Sequence, residues 1–264
     1  NQEGQRQMTQ TQDVTRRSEL LSARSTLYKV LSLGFRYPSD SLYDSLRSKE
    51  FAKRLRASVR LSSGSLRNEV DSLTRLLRGV VSCEKLESEY NFLFAPSDEL
   101  NCPPYETEYD SSNVFNKVNQ LADIMGFYKA FGLCIKTEGR ERPDYVGVEL
   151  EFMHFLTMKE AHARTNNMET AALVCRDAQR KFMDGHLARW LPDFCKRVRN
   201  HSKMGFYAAV ASLALSFLEF ETRQLDVVLT KDIVNPPLIT PPEEFVCPVD
   251  CSESVLFEDG SEAL

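Results

Sequence analysis

The sequence predicts an all-α fold, a single-domain multi-helix bundle, and three observations point there. Apolar residues recur at three- and four-residue spacing from Leu20 to Leu225. Several separators between these stretches carry proline, glycine or serine, as in Tyr37-Pro38-Ser39-Asp40 and Ser62-Ser63-Gly64-Ser65. No convincing strand pair and no βαβ alternation interrupts the pattern. With 264 residues, 42% hydrophobic and 27% charged, the chain can bury one large core and is not globally disordered. The expected organisation is a flexible segment over residues 1–15, an all-helical domain over 16–232, and a proline-rich tail over 233–264.

Leu20, Ala23, Leu27, Leu31 and Gly34 form the first stripe, widened by Leu21, Tyr28 and Phe35 into a face fit for a core. Tyr37-Pro38-Ser39-Asp40 ends that helix, because the residue before a proline is pushed out of the helical region, and Ser39 or Asp40 caps the next. A second segment, Leu42 to Leu61, carries Leu46, Phe51, Leu55 and Val59 inward and stops at Ser62-Ser63-Gly64-Ser65. Leu66 to Leu77 forms a short amphipathic helix, and after Gly79 another carries Leu86, Tyr90, Leu93 and Phe94. Residues 95–112 cannot be a regular helix, since Pro96, Pro103 and Pro104 lack the backbone donor. A loop of this length in a compact domain reads as functional, packed down by Leu100, Tyr105 and Tyr109.

Helical spacing returns with Val114, Val118, Leu121, Ile124 and Met125 and ends near Gly132. After a polar connector, Asp144 is placed to cap a helix beginning at Tyr145, with Val148, Phe152, Phe155 and Leu156 on one face. A further helix spans about Glu169 to Trp190, interrupted near Gly185 or running through it, and Leu191-Pro192 opens a short segment. Phe206 to Leu225 is apolar around most of its circumference and belongs at the centre of the core. The run Asn235-Pro236-Pro237 to Pro241-Pro242 is too proline-dense for either regular element.

Several function classes are excluded or weakened. A net charge of −5 provides no field for nucleic acid or anionic lipid, whereas a cationic peptide is electrostatically acceptable. Seven dispersed cysteines in a chain this large read as thiols in a reducing compartment, including Cys247 and Cys251, whose spacing is not that of a zinc knuckle. No apolar stretch reaches the roughly 18 residues needed to span a bilayer, so a cytoplasmic location is expected. Thr15-Arg16-Arg17-Ser18-Glu19-Leu20 resembles an export signal, but the following charges make it the start of a solvated helix. No glycine-rich phosphate loop and no nucleophile elbow occur, and no catalytic constellation is legible, so the chain reads as no enzyme and needs no cofactor.

Two blocks stand out, each joining the end of an apolar helix to an irregular polar segment. The first runs from Tyr90-Asn91-Phe92-Leu93-Phe94 into Pro103-Pro104-Tyr105-Glu106, with Thr107 and Tyr109 just beyond it, and the second is Glu141-Arg142-Pro143-Asp144-Tyr145-Val146-Gly147-Val148-Glu149. On these residues the chain resembles the TorD, DmsD and NarJ family of cytoplasmic chaperones for molybdenum oxidoreductases. The family's usual histidine is replaced by Tyr145, a phenol titrating near 10 instead of near 6.5. The resemblance implies a TorD-like helical bundle, monomeric or homodimeric, that binds the twin-arginine signal peptide and apo form of a catalytic subunit. Holding that subunit supports cofactor insertion and delays export. Asp144, Glu141 and Glu106 are then the expected acceptors for the peptide's arginines, with Tyr90, Phe94, Tyr105 and Tyr109 lining an apolar groove.

Two other readings stay open at this point. Glu151 and His154 on one helix superficially suggest a metal-dependent oxidoreductase component, although a second Glu-x-x-His is missing. A structural subunit retained in a redox complex is the other.

Overall fold

A computed structural model describes the backbone of residues 2–62, 66–79, 82–95, 102–109, 114–135, 141–229 and 255–256. Helix α1, Gln2–Gly34, takes in most of the segment expected to be flexible over residues 1–15, with Arg16 and Arg17 exposed and Leu27, Tyr28 and Leu31 in the core. The first turn of α2, Asp40–Arg47, is capped by Ser39, whose hydroxyl accepts from the Leu42 amide. The segment expected as one helix from Leu42 to Leu61 is instead two. Ser48 leaves the helical region to end α2, and its hydroxyl then accepts from the Phe51 amide to start α3, Lys49–Ser62. A serine that serves both ends this way leaves the apolar spacing undisturbed, so periodicity alone does not reveal the break.

Helices α4, Arg67–Arg78, and α5, Cys83–Phe94, follow, with Ser82 capping α5. Glu89 on α5 is buried, and its Oε1 accepts from the Ser202 hydroxyl and from the Lys203 and Met204 amides at 2.7–2.8 Å. It thereby fastens the helix that carries Tyr90 to the turn before α10. Helix α6, Val114–Ala130, leads to Gly132 in the left-handed region, which a glycine adopts without steric cost. The two-residue strand β1, Cys134–Ile135, then pairs in parallel with β2, Val255–Leu256. Apart from that pair, the tail expected over 233–264 lies outside the described residues, as do Cys247 and Cys251.

Helix α7, Val146–Thr165, is buried on nearly every face and lies against α1. Helix α8, Glu169–Phe182, passes through a π-turn at Met183–Leu187 directly into α9, Ala188–His201. The expected interruption near Gly185 is therefore a widened turn inside one continuous rod. Pro192 lies within α9 and does not open a new segment. Helix α10, Phe206–Leu225, occupies the centre of the core as its all-round apolarity predicts, with Phe217 edge-on to Tyr28 at 4.8 Å. Among the described residues no helix is long and apolar enough to cross a membrane.

Candidate functional site

The two blocks singled out in the sequence meet in space. An isolated antiparallel bridge joins Tyr105 to Tyr145: the Glu106 amide donates to Asp144 O at 3.0 Å, and the Val146 amide donates to Pro104 O at 2.9 Å. Prolines 103 and 104 hold the incoming strand extended, and Pro104 has no amide to compete for these partners. Tyr105 and Tyr145 rings lie 5.8 Å apart, and the Tyr90 and Tyr145 hydroxyls lie 3.2 Å apart. The Tyr145 hydroxyl also donates to the Phe35 carbonyl, tying the second block to the end of α1. Burial holds the Tyr145 phenol well above its ordinary range. The substituted phenol is thus a structural pin between α1, α5 and α7.

Asp144 does not cap α7. Tyr145 holds that position without a side-chain bond, and the Asp144 carboxylate turns the other way, fully buried, to accept from the Thr107 amide at 3.2 Å and hydroxyl at 2.8 Å. Arg142 closes the group with a fork, Nε to Oδ1 at 2.9 Å and Nη2 to Oδ2 at 2.8 Å. Its Nη2 also donates to Thr107 Oγ1 at 2.6 Å, while its guanidinium stacks over the Tyr105 ring at 4.3 Å. The arginine expected from a peptide at Asp144 is therefore supplied by the chain itself. Glu106 is equally buried and engaged, with His186 Nδ1 3.0 Å from Oε1.

The remaining residues separate into core and surface. Leu93, Phe94 and Pro104 are buried, and Phe94 packs on Phe194 and Tyr207. Tyr109 is half-buried against Trp190 and Phe194, with Arg197 over its outer face. Pro143 is half-exposed and offers its carbonyl to the Tyr128 hydroxyl. Tyr90, Tyr105 and Glu141 are each half-exposed, and Tyr37, 48% exposed, lies edge-on to Tyr90 at 5.3 Å. Among the described residues Glu141 has no ion-pair partner within 4 Å. Partial burial raises its pKa above the usual carboxylate value, with Arg36 pulling the other way. The result is an aromatic face of Tyr37, Tyr90 and Tyr105 beside one unengaged acid.

Sequence reasoning passed over Tyr37, Arg142 and His186. Arg142 sits inside the second block and its guanidinium matches a carboxylate fork, which is the signal that was there to read. Tyr37 and His186 carry no local signal, because each joins the site through packing. Gly147 makes the assembly possible. A β-carbon there would stand 2.7 Å from Tyr145 Cε1 and 3.4 Å from Ser32 O, at the point where the Ser32 hydroxyl donates to Gly147 O at 2.8 Å. Gly147→Ala is expected to displace the pinned ring and lower stability by about 1–3 kcal/mol, the usual cost of overpacking. An unaltered thermal midpoint in that variant would show that the ring has room to move.

The metal-centred alternative loses its residues to other partners. Glu151 pairs with Lys29 at 2.9 Å and Arg36 at 2.8 Å, and His154 Nδ1 lies 2.7 Å from Ser25 Oγ. Among the described residues no group of three or more His, Cys, Asp or Glu converges as ligands. An apolar groove of ≈ 290 Å³ between α6 and α8, lined by Phe127, Phe131, Leu173 and Val174, contains none of the residues of the two blocks.

Residues 62–196, just over half the chain, match the family model described as nitrate reductase delta subunit. The chain is 28% identical over 216 residues to the perchlorate reductase assembly chaperone protein of Dechloromonas aromatica, covering 80% of this chain and 94% of that one. It is 26% identical over 200 residues to the chaperone protein TorD of Vibrio cholerae, covering 71% and 88%. A TorD chaperone from Aliivibrio fischeri is 26% identical over 189 residues, covering 69% and 83%. The matched region contains both blocks and the helices that carry them.

Proposed function

This chain belongs to the nitrate reductase delta subunit family, and from that premise we propose that it is an assembly chaperone for a molybdenum oxidoreductase. It binds the twin-arginine signal peptide and apo form of the catalytic subunit in the cytoplasm, supports cofactor insertion and delays export. It is not an enzyme. The helical domain over 16–232 carries this work.

One observation carries the reading: two blocks 37 residues apart at Thr107 and Asp144 join into one frame and leave Tyr37, Tyr90, Tyr105 and Glu141 on an accessible face. A signal peptide presents guanidinium groups next to an apolar stretch. Glu141 meets the first requirement and the tyrosine faces meet the second, since rings bury large apolar area at small entropic cost. Asp144, Arg142 and Thr107 hold that face in shape from beneath. Glu106, Leu93, Phe94, Pro104, Tyr109, Pro143 and Tyr145 support it in the same way.

Titration calorimetry with a twin-arginine signal peptide and with a copy whose two arginines are replaced by glutamine tests this. Glu141→Gln is expected to weaken the arginine peptide by about tenfold or more, the worth of one charge-assisted hydrogen bond, and to leave the glutamine peptide unchanged. Equal affinity of the wild-type protein for both peptides would remove arginine recognition from the reading.

A further inference from the structure

Beneath the tyrosine face lies a buried polar cluster whose members come from four separate segments. His186 sits on the π-turn, where Met183, Gly185, His186 and Leu187 are all buried, a run that an ordinary helical turn at a surface does not give. Its Nδ1 lies 3.0 and 3.2 Å from the two oxygens of Glu106, and its Nε2 lies 3.3 Å from Asp123 Oδ2 on α6. Gln120, one turn earlier on α6, also donates to Glu106 Oε1. Behind Glu106 stands Glu149 of α7, fully buried, whose Oε2 accepts from Trp190 Nε1 at 3.0 Å. Rings of Phe127 and Phe182 wall the imidazole, at 5.6 and 4.7 Å.

We propose that His186 is a positioning residue for the peptide-holding face: bridging Glu106 to Asp123, it clamps the 102–109 segment onto α6 and α7 and so fixes Tyr105. The route from ring to surface is short. Glu106 is the residue whose amide bonds to Asp144 O, next to the bridge between Tyr105 and Tyr145. Without the clamp, the Glu106 carboxylate would be buried with Gln120 as its remaining donor, and the segment would gain by moving outward to hydrate it. The π-turn aims the His186 imidazole at the carboxyl groups of Glu106 and Asp123.

Protonation agrees with this geometry. Burial opposes the charged imidazole, but Glu106 and Asp123 outweigh it and push His186 up to about 9. Burial, then the nearby charge of Glu106, raise Glu149 well above the usual range. Glu149 Oε1 has no hydrogen-bond partner in the described structure. Both raised values carry the same sign: each contribution is complete below the unfolded-state pKa and is lost as pH rises through the folded one. Asp144, also facing Glu149, and Tyr128 complete the titratable surroundings.

The inference rests on the chaperone reading, and amide hydrogen exchange with the full chain separates the two. In His186→Gln, exchange at the Glu106, Thr107 and Val146 amides is expected to quicken by about tenfold or more while α10 keeps its protection, the pattern of local opening. Affinity for the twin-arginine peptide should fall by about tenfold alongside. In a Glu149→Gln background, which removes the neighbouring raised carboxyl, protection of these amides should decline from pH 7 towards 10, and adding His186→Gln should flatten that profile. Unchanged exchange at these amides, or an equal loss of protection throughout α10, overturns the proposal. If His186→Gln does not fold, Asp123→Asn, at a side chain 20% exposed, reads the same contact under the same criteria. A wild-type protein that binds no peptide sinks the chaperone reading and leaves the exchange result to decide the positioning role.

Discussion

Asp144→Ala is expected to lower the unfolding free energy by about 3 kcal/mol, at the lower end of the cost of breaking a buried ion pair. The carboxylate is fully buried and receives four hydrogen bonds, from the Thr107 amide and hydroxyl and from two Arg142 nitrogens. Its removal strands a buried amide donor. Arg142 is 41% exposed and can rehydrate, which keeps the loss from reaching the upper end. Asp144→Asn should cost about 2 kcal/mol, because its amide group must face the guanidinium with a donor where an acceptor stood. The distinction matters, since asparagine is a good helix cap and a capping role would leave Asp144→Asn nearly neutral. Urea unfolding followed by circular dichroism decides it, and an unshifted midpoint for Asp144→Asn would restore the capping role.

A larger loss, about 3–5 kcal/mol, is expected for Glu221→Ala in the centre of the bundle. Arg24 is 2% exposed, and its Nε and Nη2 meet the two Glu221 oxygens at 2.6 and 2.7 Å. Tyr28 donates to the same carboxylate at 2.7 Å, and Gln179 accepts from Arg24 at 3.0 Å while donating to Glu160 at 2.8 Å. This chain of bonds links α1, α7, α8 and α10. Burial works against the charged guanidinium and Glu221 raises its pKa above the ordinary value; once Glu221 is removed Arg24 still cannot escape by losing its proton, because an arginine is intrinsically too basic. Without Glu221 the charge is buried and unpaired. The double substitution Arg24→Met with Glu221→Leu should lose much less than Glu221→Ala alone, because an apolar pair of similar volume removes the desolvation cost together with the attraction. If chemical denaturation finds the double variant as unstable as the single one, the contribution lies in packing and not in charge.

Much of the bundle was legible because a helix announces itself by period. The stripe from Leu20 to Gly34 falls in the second half of α1 and that from Phe206 to Leu225 is α10, whose apolar circumference foretold its central place. Pro192 and Asp144 were misread, and the break at Ser48 was missed, for a shared reason. Each belongs to a class with a strong local preference, and in each case the preference was overridden or used by neighbours that the local window does not contain: a second helix starting on the same serine, a π-turn feeding α9, and Arg142 with Thr107 drawing the carboxylate away from the helix end.

The candidate site shows the same division. The two blocks were recognisable as sequence, but their residues proved to be a buried frame with a smaller exposed face, and Glu141 alone among the expected acidic acceptors remains unengaged within the described residues.

The sequence by itself determined the helical class, the run of most of its elements and the two blocks, because apolar period, caps and prolines act within a few residues of chain. Tertiary structure decided which acids are occupied, which rings meet solvent and that His186 reaches Glu106 across 80 residues. Those outcomes depend on the distance between side chains on different helices, and that distance is set when the whole core packs and water is expelled from it.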